Sequence, residues 1–293
     1  MKALTEINIP GVNKLYSGKV RDLYDIDDKH LLIVSTDRIS AFDHVFPNGI
    51  PGKGIILNKI SNIWFDSIKF IKNHLVETDC SKFPKPFCDF PELLQDRSAI
   101  VKKTQRVDYE CVARGYIIGS GWKDYQKTGA ICGIQLAEGL QLAQQFDKPL
   151  FTPATKADTG HDENISKDAI VSDLGQEIAD KLEDLTIKLY EFGRDKMSNV
   201  DIILADTKFE FGFVDNELIL IDEVLTPDSS RFWNKPEYKI GTSPVSFDKQ
   251  YIRDYLETTD WDKNSSAPPL PDDVVVKTVE NYNEILKRIE KIV

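Results

Sequence analysis

Hydrophobic and polar residues alternate along the segment from Ala205 to Phe213. Side chains in an extended strand point to opposite faces in turn, so a strand here would have one charged and one apolar face. The charged face would carry Asp206, Lys208 and Glu210. The opposite face would carry the three phenylalanines of the run, which we expect to pack in the core.

A second apolar run, Leu218 to Ile221, follows closely, and the two runs together predict a β-hairpin. A two-residue turn would place Glu210 opposite Ile221 and leave Asp222 on the face of the phenylalanines, where burying a carboxylate is costly. A three-residue loop over residues 215–217 would place Glu210 opposite Asp222, Phe211 opposite Ile221 and Phe213 opposite Ile219. We therefore predict the second register.

The predicted register brings two carboxylates together, with Cβ atoms roughly 4.5–5.5 Å apart, and like charges at that separation destabilise a sheet. A divalent cation would neutralise them, and Mg²⁺ combines a few carboxylates with water and substrate phosphates. An ordinary solvent-facing acidic edge is the competing explanation. The mixed charges of the row, and Asp228, Ser229, Ser230 and Arg231 shortly after it, favour a functional site.

Elsewhere the pattern predicts a sheet-rich first half with one helix and a helical remainder. A strand that carries Lys19 and Arg21 on one face follows Gly18, and this arrangement suits phosphate contact, although no Walker A loop is present. The other predicted strands are Leu31–Ser35, Ala99–Lys103 and Val107–Ala113. Four helices are predicted. The first has an apolar stripe from Ile60 to Ile71, the second spans Asp173–Met197 with Asp173 and Gln176 at its N-cap, the third spans Phe247–Leu256, and the last has an apolar side from Val275 to Ile289.

Two segments without clear periodicity also carry candidate chemistry. YIIGSGWKDYQKTG, directly after Arg114 and Gly115, predicts a glycine-rich turn whose backbone donors would share an anion with Arg114. Residues 151–166 form a long polar loop, and loops of that length are usually functional or disordered. We predict His161 in this loop to be a surface residue, and the two C-terminal helices to serve only for packing.

Composition excludes several classes of protein. The 293 residues carry a formal net charge of −11, which disfavours a nucleic-acid partner. No apolar run is long enough to cross a bilayer and the N-terminus lacks the order of a signal peptide, so a soluble cytoplasmic protein without a membrane partner is expected. The four cysteines show no CxxC pair, which favours reduced thiols over a zinc site or disulfides. We expect a monomer.

Six segments in order resemble the SAICAR synthetase family: SGKVRDLYD, STDRISAFD, VARGYIIGSGW, TPATKADTGHDENIS, ADTKFEFG and DEVLTPDSSRFW. The resemblance implies an ATP-dependent ligase of purine biosynthesis. Such a ligase joins the carboxylate of carboxyaminoimidazole ribotide to the amino group of L-aspartate and releases ADP and phosphate. It also implies an α+β fold, with a kinase-like antiparallel β domain over residues 1–113, a larger mixed α/β domain over residues 114–293, and ATP in the cleft between them.

The same resemblance implies roles for individual residues. The ATP contacts would be Gly18, Lys19, Arg21, Glu110 and Val112, with residues 106–112 along the adenine, and the Mg²⁺ ligands would be Glu210 and Asp222. Arg114 and Ser120 would hold the ribotide phosphate. The rest of the substrate pocket would comprise Asp43, Lys156, Asp162, Asp206, Lys208 and Arg231. We assign the catalytic roles to Lys208, Asp206 and Arg231, with Asp206 as candidate base for the aspartate amine.

Two other functions remain open. A small-molecule or protein kinase would share the cleft, metal and lysine, although the HRD and DFG motifs of protein kinases are missing. A nucleotide-binding module without catalysis would bind ATP and Mg²⁺ but show no turnover. The presence of both carboxylates together with the basic residues argues against such a module.

Overall fold

The computed structural model describes residues 2–156 and 163–292, which form an α+β fold with antiparallel sheets. The strands are β1 (Lys14–Ser17), β2 (Arg21–Asp25), β3 (His30–Ser35), β4 (Ser40–Ala41), β5 (His44–Val45), β6 (Leu75–Glu77), β7 (Ser98–Lys102), β8 (Gln105–Arg106), β9 (Tyr109–Tyr116), β10 (Ala130–Ile131), β11 (Ile134–Gln135), β12 (Gln145–Phe151), β13 (Ala154–Thr155), β14 (Ile202–Val214), β15 (Glu217–Ile221) and β16 (Ser230–Asn234). The α-helices are α1 (Lys53–Ser67), α2 (Pro91–Leu94), α3 (Gly119–Thr128), α4 (Lys167–Leu174), α5 (Gln176–Ser198), α6 (Gln250–Glu257) and α7 (Asp272–Ile289), and short 3₁₀ helices span Cys80–Lys82, Phe87–Asp89 and Lys235–Glu237.

The first sheet has the order β1-β2-β3-β7-β6, and its pairings are antiparallel. One face packs on an apolar cluster that includes Tyr24, Leu32 and Ile100. The prediction of one strand through Lys19 and Arg21 was wrong, because the chain reverses between β1 and β2. The Gly18 amide donates to the Arg21 carbonyl at 2.8 Å and closes the turn, so Lys19 lies in the turn itself.

The second sheet is organised around β14, which pairs with β8, β9, β15 and β16. The predicted faces are confirmed. Phe209 and Phe211 are fully buried in the main apolar cluster, where the amphipathic helix α5 also packs, and the partly buried Phe213 packs against the same cluster. Burying these rings fixes the strand's orientation and turns its charged face the other way.

The predicted register of the β14–β15 hairpin was wrong. Glu210 pairs with Ile221 and Val214 with Glu217, so the turn has only two residues, Asp215 and Asn216. Both turn residues have positive φ, as a type I′ turn requires, and Asp and Asn tolerate that conformation better than most residues. Asp222 is nevertheless not placed among the phenylalanines, because β15 ends at Ile221 and Asp222 has a left-handed φ of 68°.

The bounds of two predicted helices also differ from the observed ones. The helix predicted from Asp173 is two helices, α4 and α5, separated by Gly175 with a φ of 85°. Asp173 is not an N-cap, since it lies in the last turn of α4 and accepts a hydrogen bond from the Tyr109 hydroxyl at 2.8 Å. α1 begins earlier and ends at Ser67, so Ile68 and Ile71 lie beyond it.

The predicted glycine-rich turn after Arg114 is the helix α3. Gly119, with a φ of 61°, begins the helix, and Gly129, with a φ of 70°, ends it. Ser120 therefore lies in the first turn of a helix, where backbone N–H groups lack partners within the helix. The anion site predicted here keeps its backbone donors, but they belong to a helix N-terminus.

The predicted domain boundary between residues 113 and 114 falls inside β9, a strand of the second sheet. The division into two domains remains a prediction. Within residues 2–156 and 163–292, no helix has both the length and the apolar character needed to cross a membrane.

The labelling rates of the cysteine thiols test how the interior is packed. Cys80, Cys88, Cys111 and Cys132 are free, and burial raises the pKa of Cys111 to about 12 and that of Cys132 to about 11. The thiolate is the reactive form, so a raised pKa lowers its population at pH 8. We expect slow labelling of both thiols by a disulfide reagent in the native protein and fast labelling after denaturation, measured by peptide mass mapping. Equal rates in the two states would contradict this packing.

Candidate active site

A cavity of about 590 Å³ opens beside the charged face of β14. Its walls combine the hairpin tip between β4 and β5, strands β9 and β14, the start of α3, the loop before β16, and α6. Basic and acidic side chains both reach it, and the basic ones would attract small ligands that carry negative charge. Its charged lining residues are Lys19, Asp43, Glu110, Arg114, Lys123, Asp206, Lys208, Asp228, Arg231, Asp248, Lys249, Arg253 and Glu257.

At one end of the β14 row, Asp206 holds two arginines together. Oδ2 of Asp206 accepts a hydrogen bond from Arg114 Nη1 at 2.7 Å and another from Arg231 Nη1. Arg114 also donates to Thr152 Oγ1 at 3.0 Å and to Ser120 Oγ at 2.9 Å. The two guanidinium groups together carry more positive charge than the single carboxylate, next to a helix N-terminus, and this combination suits an anionic ligand.

In the middle of the row, Lys208 bridges two acids. Its Nζ donates to Glu110 Oε1 at 2.7 Å and to Glu210 Oε1 at 2.9 Å. Burial alone would lower the pKa of Lys208, but the charges of Glu210 and Glu110 raise it well above its usual value. Lys208 is therefore a permanent cation at the cavity wall.

At the far end of the row, Glu210 is almost fully buried and pairs with both Lys208 and Lys156. Burial opposes its ionisation, yet the charges of Lys208 and Lys156 hold the pKa of Glu210 well below its usual value. Glu210 is consequently an ionised carboxylate at neutral pH. It offers two hard oxygen atoms beside two cations.

Asp222 lies near Glu210 and binds Arg21, whose Nη2 is 3.0 Å from Asp222 Oδ2 and 3.0 Å from Glu223 Oε1. Burial raises the pKa of Asp222 to about 6, because the opposing charge of Arg21 is offset by Glu210 and Glu223. Burial is the largest cause of this raised pKa, and the charges of Glu210 and Glu223 add to it. Arg21, Asp222 and Glu223 line a smaller adjoining cavity of about 30 Å³.

The turn over residues 18–20 stands between the two cavities. Lys19 lines the large cavity and Val20 the small one. The Lys19 ammonium pairs with Asp43, which lies at the tip of the β4–β5 hairpin. The turn and the hairpin tip thus meet at one edge of the large cavity.

The structure brings most of the predicted site residues into one region. The large cavity is lined by Lys19, Asp43, Glu110, Val112, Arg114, Ser120, Asp206, Lys208 and Arg231. Glu210 and Lys156 join them through Lys208, while Arg21 and Asp222 line the small cavity, and Gly18 lies in the turn next to Lys19. Asp162 and His161 lie outside the described residues. The roles of all these residues remain predictions.

The sequence reading missed one wall of the cavity. Lys249 and Arg253, at the start and in the first turns of α6, reach it, so the prediction that this helix serves only for packing was wrong. Their spacing of four residues, which puts two cations on one helical face, was the signal in the sequence. Ile252 and Leu256 hold α6 at this wall, because they lie in one buried apolar cluster with Phe46 and Ile50.

Asp228 ties this wall to the rest of the fold. Its Oδ2 accepts from Lys53 Nζ at 2.7 Å and lies 3.1 Å from Lys249 Nζ, and its Oδ1 accepts from the Tyr282 hydroxyl at 3.0 Å. Lys53 and Asp228 are almost completely buried. A buried carboxylate with three donors is well satisfied, and it fixes the loop that carries Ser229 and leads into β16 with Arg231.

Glu210 and Asp222 fit a magnesium ion in donor type, since Mg²⁺ prefers carboxylate oxygens and completes its shell with water and phosphate. A divalent cation would neutralise the neighbouring carboxylates of Glu210, Asp222 and Glu223. Among the residues that the structure describes, no group of three or more acidic, histidine or cysteine side chains is arranged to hold a metal. An ion here would therefore depend on ligands that come with the substrate.

The α+β fold carries a large cavity with many charged side chains, which suits binding of small charged molecules. The family model described as SAICAR synthetase matches residues 14–268. The chain belongs to the SAICAR synthetase family.

Individual relatives support the same family assignment. The chain is 51% identical over 291 residues to a phosphoribosylaminoimidazole-succinocarboxamide synthase from Elusimicrobium minutum, covering 98% of each chain. It is 52% identical over 283 residues to the enzyme of that name from Thermodesulfovibrio yellowstonii, covering 96% of this chain and 97% of the other.

Solved structures give the same result. A SAICAR synthase from Saccharomyces cerevisiae, complexed with SAICAR, superposes with a TM-score of 0.89 at 40% identity and covers 99% of this chain and 98% of the other. A type-2 SAICAR synthetase in complex with ADP gives a TM-score of 0.68 at 25% identity, covering 94% of this chain and 97% of the other.

Proposed function

We propose that this cavity catalyses the ATP-dependent condensation of carboxyaminoimidazole ribotide with L-aspartate, giving SAICAR, ADP and phosphate. Family membership makes the chain a phosphoribosylaminoimidazole-succinocarboxamide synthase of purine biosynthesis. The SAICAR complex of the yeast relative and the ADP complex of the type-2 relative support the choice of small-molecule ligands. ATP, Mg²⁺ and the place of each substrate belong to the proposal.

The observation that carries the proposal is the order of charges along β14. The arginine pair held by Asp206 lies at one end, Lys208 in the middle, and Glu210 near Asp222 at the other. Four residues of extended strand separate the two ends by roughly 13 Å. We place the ribotide phosphate at the arginine end, and the nucleotide phosphates at the carboxylate end, between Lys19, Arg21 and Lys208.

The chemistry follows from the inertness of a carboxylate towards an amine near neutral pH. In the first step, an oxygen of the ribotide carboxylate forms a bond to the γ-phosphorus, and the bond from that phosphorus to the bridging oxygen breaks, which releases ADP. In the second step, the aspartate nitrogen bonds to the acyl carbon, and the carbon–oxygen bond to phosphate breaks. The product of the first step is an acyl phosphate, a good electrophile.

The side chains have separate tasks in these steps. Lys208 and Lys19 would stabilise the negative charge of the transferring phosphoryl group. Magnesium held by Glu210 and Asp222 would neutralise phosphate charge. Arg231 and Lys156 would hold carboxylates or the ribotide phosphate. The aspartate amine loses a proton, for which Asp206 Oδ1 is the candidate acceptor, since Oδ2 is engaged by both arginines.

The test is an ADP-release assay with ATP, Mg²⁺, carboxyaminoimidazole ribotide and aspartate, in which each component is omitted in turn and SAICAR is measured in parallel. We expect equal amounts of ADP and SAICAR, and no multiple turnover to either product when any component is missing. Without aspartate, the first step alone would release at most one ADP per enzyme. Rapid ADP formation without aspartate and without SAICAR would indicate a phosphotransferase. ADP binding without turnover would indicate a nucleotide-binding module, and either result would overturn the proposal.

Gly119 provides a test of the ribotide end. A Cβ added there would lie 2.6 Å from Arg231 Nη2, and the residue has a positive φ. Gly119→Ala should therefore displace Arg231 and raise the KM for the ribotide about tenfold, which corresponds to about 1.4 kcal/mol of lost binding. The matched control is Gly129→Ala, where φ is also positive but nothing lies within 4 Å of the added Cβ. Equal KM values in the two variants would contradict the role of Arg231.

A further inference from the structure

Arg38 donates hydrogen bonds to the turn over residues 18–20, although it does not line the large cavity. We infer that Arg38 is a positioning residue, which orients the backbone N–H groups of this turn as donors for the nucleotide phosphates. The inference rests on the proposed function, because it assigns the turn to the phosphates of ATP. It adds a residue that acts through the backbone and touches no substrate.

The three carbonyl groups of the turn all point to the same side. Arg38 Nη2 donates to the Gly18 carbonyl at 3.0 Å, and Arg38 Nε donates to the Lys19 carbonyl at 3.3 Å. The Val20 carbonyl accepts from the Thr36 amide at 3.0 Å and from Thr36 Oγ1 at 2.8 Å. Thr36 and Arg38, which follow β3, thus bind the carbonyl oxygens of all three turn residues.

This arrangement fixes the direction of the amide hydrogens. In a planar trans peptide the C=O and the following N–H point in opposite directions. Arg38 holds the carbonyls of residues 18 and 19 on its own side. The N–H groups of Lys19 and Val20 therefore point away from Arg38. Among the described residues, neither of these amides has a hydrogen-bond partner within the protein. Successive free amides of this kind form a concave anion-binding site, to which the Lys19 ammonium adds charge.

Arg38 is itself held firmly. Its Nη2 donates to Asp22 Oδ1 at 2.7 Å, and its Nη1 donates to the Thr5 carbonyl at 2.8 Å. Asp22 is fully buried and also receives Ser17 Oγ at 2.8 Å, so the guanidinium group is fixed between a rigid acid and the N-terminal segment. Burial works against ionisation of Asp22, but hydrogen bonds from Arg38 and Lys14 lower its pKa, so the anchor stays charged.

Only arginine supplies this pattern. The planar guanidinium group presents donors in several fixed directions, and here it reaches three carbonyls and one carboxylate together. A lysine at the same place would keep the charge beside Asp22, but its single nitrogen would not hold two successive peptide groups. Loss of Arg38 would free the turn to rotate its peptides while leaving Lys19 present.

The test measures ADP binding by calorimetry in the presence of Mg²⁺, together with KM for ATP and for the ribotide, in Arg38→Met and Arg38→Lys. Arg38→Met should weaken ADP binding and raise the KM for ATP by about 10- to 100-fold, since two oriented donors to a charged ligand are lost. The KM for the ribotide should change less than about twofold, and Arg38→Lys should fall between the wild type and Arg38→Met. Arg38→Lys keeps the charge beside Asp22 and serves as the test if Arg38→Met does not fold.

The matched control is Arg97→Lys. Arg97 is buried and supports the segment that carries Thr36 and Arg38, through the Ser35 carbonyl at 3.3 Å and Asp37 Oδ1 at 3.1 Å. It makes no hydrogen bond to the described residues 18–20. It should lower the melting temperature without changing ADP affinity. ADP affinity unchanged in folded Arg38→Lys, or lowered equally in Arg97→Lys, would overturn the inference. ADP binding needs no ligation, so it reports on Arg38 even if the omission assay refutes the proposed reaction.

Discussion

Glu210→Gln and Asp222→Asn should each lower kcat by a factor on the order of 10³ or more while leaving the fold intact. Each substitution keeps the size of the side chain but removes one of the two negative charges that we assign to magnesium. Glu210→Gln also leaves Lys156 and Lys208 without their shared partner. The measurement is SAICAR formation as a function of Mg²⁺ concentration, with circular dichroism to confirm folding.

A matched control for these variants lies in the same hairpin. Glu217, at the start of β15, forms an exposed ion pair with Lys72 and faces neither cavity. Glu217→Gln removes one negative charge from the hairpin and should leave kcat and the Mg²⁺ dependence unchanged, because exposed ion pairs contribute little. Near-normal turnover in both Glu210→Gln and Asp222→Asn would remove the metal assignment.

Asp206→Asn should have the second largest effect, because it leaves Arg114 and Arg231 side by side without their shared counter-charge. Breaking a buried ion pair from one side costs about 3–5 kcal/mol, so we expect a loss of that order in the free energy of unfolding. The KM for the ribotide should rise as the two guanidinium groups move apart. Urea unfolding and steady-state kinetics measure the two effects separately.

The kinetics of Asp206→Asn also test the assignment of a base. If Asp206 Oδ1 accepts the proton of the aspartate amine, the turnover rate should fall as well, and saturating ribotide should not restore it. A variant with raised KM but normal kcat would limit Asp206 to holding the arginines. Asp180→Asn, on the surface of α5, is the control for removal of an exposed carboxylate and should resemble the wild type.

The faces of β14 were predictable from sequence, whereas its register against β15 was not. Alternation over nine residues, Ala205 to Phe213, is a local property, and burial of the phenylalanines enforces it. The register depended on whether Asp222 continues the strand. The left-handed backbone of Asp222 is not visible in the sequence pattern. It lets the two-residue turn form without burying the Asp222 carboxylate among the phenylalanine rings.

The site shows the same division between local and distant information. Arg114, Asp206, Lys208 and Glu210 lie on adjoining strands, β9 and β14, so their proximity follows from strand pairing. Lys249 and Arg253 reach the cavity only because α6 packs on residues near position 50, about 200 positions earlier in the chain. Arg38 likewise acts on a turn 20 residues earlier in the sequence. Such contacts leave no periodic pattern.

The central claim is that Glu210 and Asp222 hold a metal ion beside the nucleotide phosphates. Electron paramagnetic resonance of Mn²⁺, titrated into the protein with and without ADP, measures this directly. We predict a single tight Mn²⁺ site that requires ADP and is lost in both Glu210→Gln and Asp222→Asn but retained in Glu217→Gln. Tight Mn²⁺ binding that is independent of ADP, or unchanged in the two carboxylate variants, would contradict it.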